Sequence, residues 1–337
     1  MKVKLGATAQ NRLSSLHFNY GGKKGAIMSD NANKSISYVL LTAAHNEEAF
    51  IERTIQSVVS QTVLPLKWVI VNDGSTDNTP AVIDRYANQY PWIDRLDMPE
   101  HRDRSFAAKA YCINRAYEHV KHMNFEVVGN LDADVSFDSK FMEFLLPKFL
   151  EIPDLGVAGT VFREDGYDSS VDSFEGENYV AGMFQLFRRA CFEDIGGYTP
   201  HAPGGVDWIA VMTAKMKGWK VQAFREKHFF HHRSMGTAGR SSVAALFSYG
   251  QKDYYLGNHP VWELCRIVYR MSRKPYVING LALGAGYLHA AMRRMKRPVS
   301  SELMQFHRRE EMKKLRAILY SFLRLQRVDK FKVISGS

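Results

Sequence analysis

Cysteine is scarce in this chain. Only Cys112, Cys191 and Cys265 occur among 337 residues, too far apart for a disulfide framework or a zinc-ligand pair, so they read as reduced thiols in a cytosolic protein. No Gly-x-Gly-x-x-Gly follows an apolar run and there is no Walker loop, so any phosphate must be met by side chains or a metal rather than by a glycine cradle. No apolar run follows the N-terminal lysines, which argues against a secretory signal. Internal repeats and biased tracts are also missing. With 45% hydrophobic and 24% charged residues, the composition is globular and long enough for one large domain with an appendage.

Acidic residues thin out toward the end of the chain. From Val261 onward there are 17 Lys and Arg against 5 Asp and Glu, while the first 260 residues hold 28 against 30. The net charge of +10 therefore belongs to the tail, which points to an anionic surface. No nucleic-acid-binding motif accompanies it, so no nucleic acid is expected. Residues 1–35, with their Gly and Asn clusters, read as a flexible leader, within which Met28 is a possible start.

From Ser37 the pattern becomes short apolar runs alternating with amphipathic stretches. This predicts βαβ units: an α/β fold with a mainly parallel, doubly wound sheet and flanking helices. Strands are expected at 37–42, 68–72, 96–98, 126–131, 156–162, 183–187 and 220–224, with helices at 46–61, 80–90, 105–120, 138–150 and 206–217. Beyond Arg225 strand signals stop. The remainder reads as helical, giving a catalytic-looking region over 36–240 and a basic helical region over 241–337.

Three polar motifs sit at the carboxyl ends of expected strands, where open α/β sheets bind ligands. They are Thr42-Ala43-Ala44-His45-Asn46-Glu47-Glu48, Asn72-Asp73-Gly74-Ser75-Thr76-Asp77 and Asp132-Ala133-Asp134. Two carboxylates spaced i, i+2 after an extended strand point to one side and suit a hard divalent ion such as Mg²⁺ or Mn²⁺. A solvated turn would use the same residues, as would the turn and helix start around Asp73. Glu47 is equally explained as a carboxylate favoured by a helix N-terminus. Farther on lie Gly196-Gly197-Tyr198, Asp207 after Gly204-Gly205, and His228, His231, His232 and Arg233.

In this order the motifs resemble the inverting family 2 glycosyltransferases with their nucleotide-sugar-binding, GT-A type fold, over about residues 37–240. The resemblance implies a nucleoside diphosphate sugar donor, by preference a UDP-sugar, and a Mn²⁺ or Mg²⁺ ion. Asp134 would be the direct metal ligand, Asp132 would lie nearer the ribose or reach the ion through water, and His232 would complete the shell. Thr42, Ala43 and Glu47 would frame base and ribose, Asp73 would accept from the base, Lys109 would approach the donor, with a solvated helix lysine as its alternative, and Arg233 would meet the diphosphate, with a basic surface loop as its alternative; Arg104 and Asn114 are lesser candidates. Asp207 would be the catalytic base, with helix capping as its rival role. The family often shows paired acids there, whereas Val206 precedes Asp207, which leaves Glu175, Glu177 and Asp172 as alternatives. A histidine-only zinc site lacks the usual spacing. The Gln-x-x-Arg-Trp of processive synthases is missing, which implies one sugar added per encounter.

Pro275 to Met292 is an uncharged 18-residue segment with basic flanks on both sides. It is at the lower limit for a bilayer span, and positive charge at both ends disfavours crossing. A monotopic or re-entrant helix on the inner membrane face is expected, with residues 261–337 on anionic lipid, against the alternative of a soluble helix packed on the preceding domain. Such a location suits a lipid-linked or saccharide acceptor in surface polysaccharide synthesis. Two other classes compete. A sugar nucleotidyltransferase should carry a Gly-rich basic loop after its first strand, unlike Ala43-Ala44-His45-Asn46. A non-catalytic module binding membrane or nucleic acid has no use for Asp132, Asp134 and Asp207.

Overall fold

The computed structural model describes residues 36–99, 106–172, 176–233 and 242–323; the leader, Arg104, Glu175 and the stretch from Ser234 to Ser241 lie outside them. β1 (Tyr38–Ala44), α1 (Ile51–Val59), β2 (Lys67–Asn72), α2 (Thr79–Ala87) and β3 (Ile93–Asp97) come first. α3 (Phe106–Val120), β4 (Val127–Leu131) and β5 (Val135–Ser136) follow, then α4 (Phe141–Leu145) and α5 (Lys148–Glu151). Next are β6 (Leu155–Glu164), β7 (Tyr167–Asp168), α6 (Ser169–Asp172), β8 (Phe184–Arg188), α7 (Arg189–Asp194), α8 (Val206–Met216) and β9 (Lys220–His231). Four helices close the described chain: α9 (Ser242–Leu256), α10 (Pro260–Met271), α11 (Ile278–Met292) and α12 (Ser301–Leu323).

The strands form one sheet in the order β3-β2-β1-β4-β8-β6-β9-β5, with β7 on β6. It is parallel from β3 to β4 and again between β6 and β9, while β8 runs antiparallel to both β4 and β6. The α/β class is as expected, with β8 reversed inside it. β1 is covered on both faces, as its unbroken apolar run requires. Tyr38 and Leu40 join Trp68, Ile51 and Ile55 in one layer. Val39 and Leu41 join Val69, Ile113 of α3 and Val211 of α8 in the other.

Two expectations fail, one for a local reason and one through long-range pairing. The single helix expected over 138–150 is split into α4 and α5 around Pro147, which has no N–H to continue the ladder. β9 does not stop near Arg225 but runs to His231, because the register jumps from Thr160↔Phe224 to Val161↔His228. Arg225, Glu226 and Lys227 are an outward bulge that resembles a strand end in sequence.

The last helices pack on the sheet domain through α8. Trp208, Ile209 and Met212 meet Tyr255, Leu256 and Leu303 in a third apolar cluster. α9 and α11 approach closely: a Cβ on Gly250 would lie 2.0 Å from the Leu283 carbonyl oxygen, and one on Gly286 2.0 Å from that of Phe247. Within the uncharged segment, Gly280 and Gly286 are there for backbone contact, with Ile267 and Phe247 respectively.

Candidate active site

Parallel pairing of β1 with β2, ending at Ala44↔Asn72, brings the first two polar loops side by side. The Asp73 amide donates to the Ala44 carbonyl at 2.8 Å, and His45 Nδ1 donates to the Asp73 carbonyl at 2.5 Å. Asn46, at φ 54, accepts from Thr76 N at 2.8 Å, and its own N–H donates to Ser75 Oγ at 3.0 Å. Asparagine tolerates this left-handed conformation, so the loop can turn without glycine. Asp73 is buried, and its carboxylate lies near the Cys112 thiol, whose pKa burial and that neighbour push up.

The Asp132-Ala133-Asp134 turn, between β4 and β5, is clamped from α1. Thr54 Oγ1 lies 2.8 Å from the carbonyl oxygens of both Ala133 and Val135 and accepts from Val135 N at 3.2 Å. Asp132 pairs with Lys109 Nζ at 2.5 Å. Burial works against the Lys109 charge, but the carboxylates of Asp132, Asp207 and Asp134 outweigh it and raise its pKa. Asp134, 7% exposed, has His231 Nε2 at 3.5 Å and Arg233 Nε at 3.7 Å. His231 Nδ1 reaches Glu164 at 2.6 Å. Burial alone would lower the His231 pKa, yet its bonds to Asp134 and Glu164 lift it to about 9. Arg233 also donates to Glu47 Oε2 at 2.6 Å, so Glu47 is held inward by a cation rather than sitting in the first turn of α1.

Asp207 enters the same cluster from α8. It is half-buried, with Tyr179 Oη 3.5 Å from its Oδ2. The helix is preceded by Gly205 in the left-handed region and has no side-chain cap bond, which removes the capping explanation for this aspartate. Gly182 stands where the groups meet. Its carbonyl accepts from Asn130 Nδ2 at 2.8 Å and from Lys109 at 3.4 Å, and a Cβ there would lie 2.2 Å from Asp207 Oδ2.

The structure thus brings Glu47, Lys109, Asp132, Asp134, Asp207 and Arg233 together, with Asp73 and Ala43 at the neighbouring strand ends. Three expected roles need correction. Thr42 is fully buried inside β1, where its hydroxyl accepts from Trp68 Nε1 at 3.0 Å, so its side chain is structural. His232 does not face the aspartates: its Nε2 meets Ser136 Oγ at 2.8 Å and its ring stacks on Phe50. Alternation along the extended β9 turns His231 inward instead, opposite Val135 in the β5 pairing. Asn114 bonds both backbone groups of Tyr198, at 2.8 and 3.0 Å, and so fastens the Gly196-Gly197 turn to α3. Among the lesser base candidates, Asp172 ends α6, and the Glu177 carbonyl accepts from Ala223 N in β9.

Sequence reasoning missed Thr54, Gly182 and Glu164. A signal existed for the first, a hydroxyl on the apolar face of α1 beside Ile51, Ile55 and Val58, and for the second, a glycine just before an apolar strand. Glu164 carried none, since it is placed by the end of β6.

The family model for glycosyl transferase family 2 matches residues 40–202, the stretch holding all three polar motifs. This chain carries a family 2 glycosyltransferase domain. Poly-β-1,6-N-acetyl-D-glucosamine synthase of Staphylococcus epidermidis is 24% identical over 188 residues, covering 48% of this chain and 42% of that protein. Chondroitin synthase of Pasteurella multocida is 26% identical over 176 residues, covering 49% of this chain and 17% of that protein. The chain thus spans less than half the length of these curated relatives. Among solved structures, the mannosyltransferase PcManGT from Pyrobaculum calidifontis, in complex with GDP-Man and Mn²⁺, superposes with a TM-score of 0.51 at 17% identity, covering 90% of this chain and 85% of that one. TarS 1–349 of Staphylococcus aureus, in complex with UDP-GlcNAc, gives 0.50 at 15% identity, with 90% and 91% covered. The fold is therefore that of the GT-A glycosyltransferases, and the family 2 domain over residues 40–202 is related in sequence to polysaccharide synthases. Asp207, His231 and Arg233 lie beyond the matched stretch and owe their placement to the tertiary structure.

Proposed function

We propose that this glycosyltransferase moves one sugar, with inversion, from a nucleoside diphosphate sugar to a hydroxyl of a lipid-linked or saccharide acceptor in surface polysaccharide synthesis. The observation that carries this reading is the convergence of Asp132, Asp134, Lys109, Arg233 and Asp207 at one end of the sheet. UDP-GlcNAc and GDP-Man in the structural relatives support a nucleoside diphosphate sugar as the donor, and UDP-sugars remain the preferred donors here.

Among the described residues no group of three or more His, Cys, Asp or Glu is arranged as a ready-made metal site. The donor chemistry nonetheless fits Mn²⁺ or Mg²⁺. Asp134 Oδ1 and His231 Nε2 are 3.5 Å apart, close to the separation of about 3 Å between neighbouring ligands of an octahedral ion of this size. Asp134, with Asp132 in support and with His231 once it has given up its Nε2 proton, would hold the ion, which supplies charge neutralisation for the departing diphosphate. Lys109 and Arg233 now occupy the carboxylates and are placed to turn toward phosphate oxygens as a donor enters. Ala43 and Asp73 border the base and ribose, and Glu47 is within reach of ribose hydroxyls once Arg233 moves. Asp207 is half-buried and not engaged in capping, and it takes the proton from the acceptor hydroxyl. Without Gln-x-x-Arg-Trp after Asp207, the product is one residue longer than the acceptor.

Thermal-shift titration with UDP-, GDP- and dTDP-sugars, with and without Mn²⁺, tests the reading. One nucleotide series should raise the melting temperature in a metal-dependent way, and Asp134→Asn should abolish that dependence. Absence of any shift across the panel would sink the proposal.

A further inference from the structure

We infer that the outer faces of α10 and α11 form a docking surface for an anionic lipid bilayer, lying in the membrane plane rather than crossing it. α10 is built inside out. Its buried side chain is Glu263, while Leu264 and Val268 are 60% and 59% exposed. α11 repeats the inversion: Ile278, Leu281, Ala285, Leu288 and Met292, spaced three and four apart, are exposed along one stripe. Leu288 and Met292 reach 61% and 78% exposure, while the face against the protein is made of Gly280, Ala282, Leu283, Gly286 and Ala290. A helix in water puts its large apolar residues inward. Two neighbouring helices that do the opposite leave exposed apolar stripes in need of a partner. A groove of about 560 Å³ between α9 and α11, lined by Val243, Phe247, Ile278 and Leu281 among others, deepens that face.

Charge decides the occupant. From Leu264 to Ser301 there are eight Lys and Arg and no Asp or Glu. Arg273 and Lys274 are exposed at one end of α11, and Arg293, Arg294 and Lys296 at the other. A second copy would set these five exposed cations against five, and a nucleic acid would leave the apolar stripes in water. An anionic bilayer takes both, acyl chains against the stripes and headgroups against the cations. No helix among the described residues is long and apolar enough to cross a membrane. α11, at 15 residues, extends about 22 Å against a hydrocarbon core of about 30 Å. The inference stands independently of the donor and acceptor chemistry.

Flotation of the full chain with vesicles of phosphatidylcholine, alone or with about a third phosphatidylglycerol, provides the test. Co-flotation is expected only with the anionic vesicles and should weaken at high salt. Because Leu281 and Leu288 are exposed, L281E/L288E should keep the parent melting temperature yet lose at least about tenfold in partitioning. R293A/R294A should lose about fivefold per cation. The inference is overturned if anionic vesicles recruit no protein, if L281E/L288E floats like the parent, or if the chain is a solution dimer that L281E/L288E dissociates.

Discussion

A single methyl group at residue 182 is expected to disable Asp207, the proposed base, without altering it. A Cβ there would lie 2.2 Å from Asp207 Oδ2 and 2.5 Å from Asp207 Cβ, where carbon contacts are ordinarily about 3.5–4 Å. Turning the carboxylate relieves the first overlap. The second remains, because the Asp207 Cβ is fixed by the backbone of α8, so the helix or the loop before β8 must shift by on the order of 1 Å. Overpacking of this kind costs about 1–3 kcal/mol, or a few degrees of melting temperature for a chain of this size. Displacing a catalytic group by about 1 Å costs about a hundredfold in rate. Gly182→Ala should therefore lower kcat about a hundredfold with donor KM near the parent value, read by nucleoside diphosphate release and by calorimetry. Gly284→Ala in α11 is the control, since its Cβ would meet the Ile267 side chain, nearest at its flexible end, Cδ1, at 3.2 Å; parent turnover and equal or greater stability are expected. Parent kcat and melting temperature in Gly182→Ala would refute the placement of Asp207 and the active-site geometry with it.

Asp207→Asn should lose about 10²–10⁴ in kcat while melting like the parent, because no cap bond is lost; a large drop in melting temperature would restore the capping role. Thr54→Val keeps the shape but removes the clamp on Ala133 and Val135, and should cost about 1–3 kcal/mol in denaturant titration and weaken metal-dependent activity. Burial raises Glu263 to about 8, with Asp253 and Glu311 adding to the shift and Arg266 and Asn258 opposing it. The folded state thus holds this proton more tightly than the unfolded chain, so Glu263 stabilises at low pH and that contribution is lost as pH rises through about 8. Melting temperature should fall between about pH 5 and pH 8, and Glu263→Gln should flatten the slope.

The loops at the ends of β1, β2 and β4 were legible because each polar motif follows a short apolar run, and run plus motif leaves little choice of where the chain emerges from the sheet. Run and motif together are enough to put Asp73, Asp132 and Asp134 at those strand ends. Thr42 was misread because it stands at the boundary between strand and loop, and one more strand residue turns it into the core. The choice between His231 and His232 depended on whether β9 continued past Arg225. That was settled by a three-residue bulge against β6, a long-range pairing with no local sign.

The sequence by itself determined the α/β alternation, the order of the polar motifs and the concentration of positive charge in the tail, since these follow from period and composition along the chain. Tertiary structure alone decided that Asp207 meets Lys109 across Gly182, that Arg233 bridges Glu47 and Asp134, and that α10 and α11 turn their apolar residues outward. Each of these depends on which surfaces meet once the sheet has formed, and residues brought together from distant parts of the chain leave no periodic trace in it.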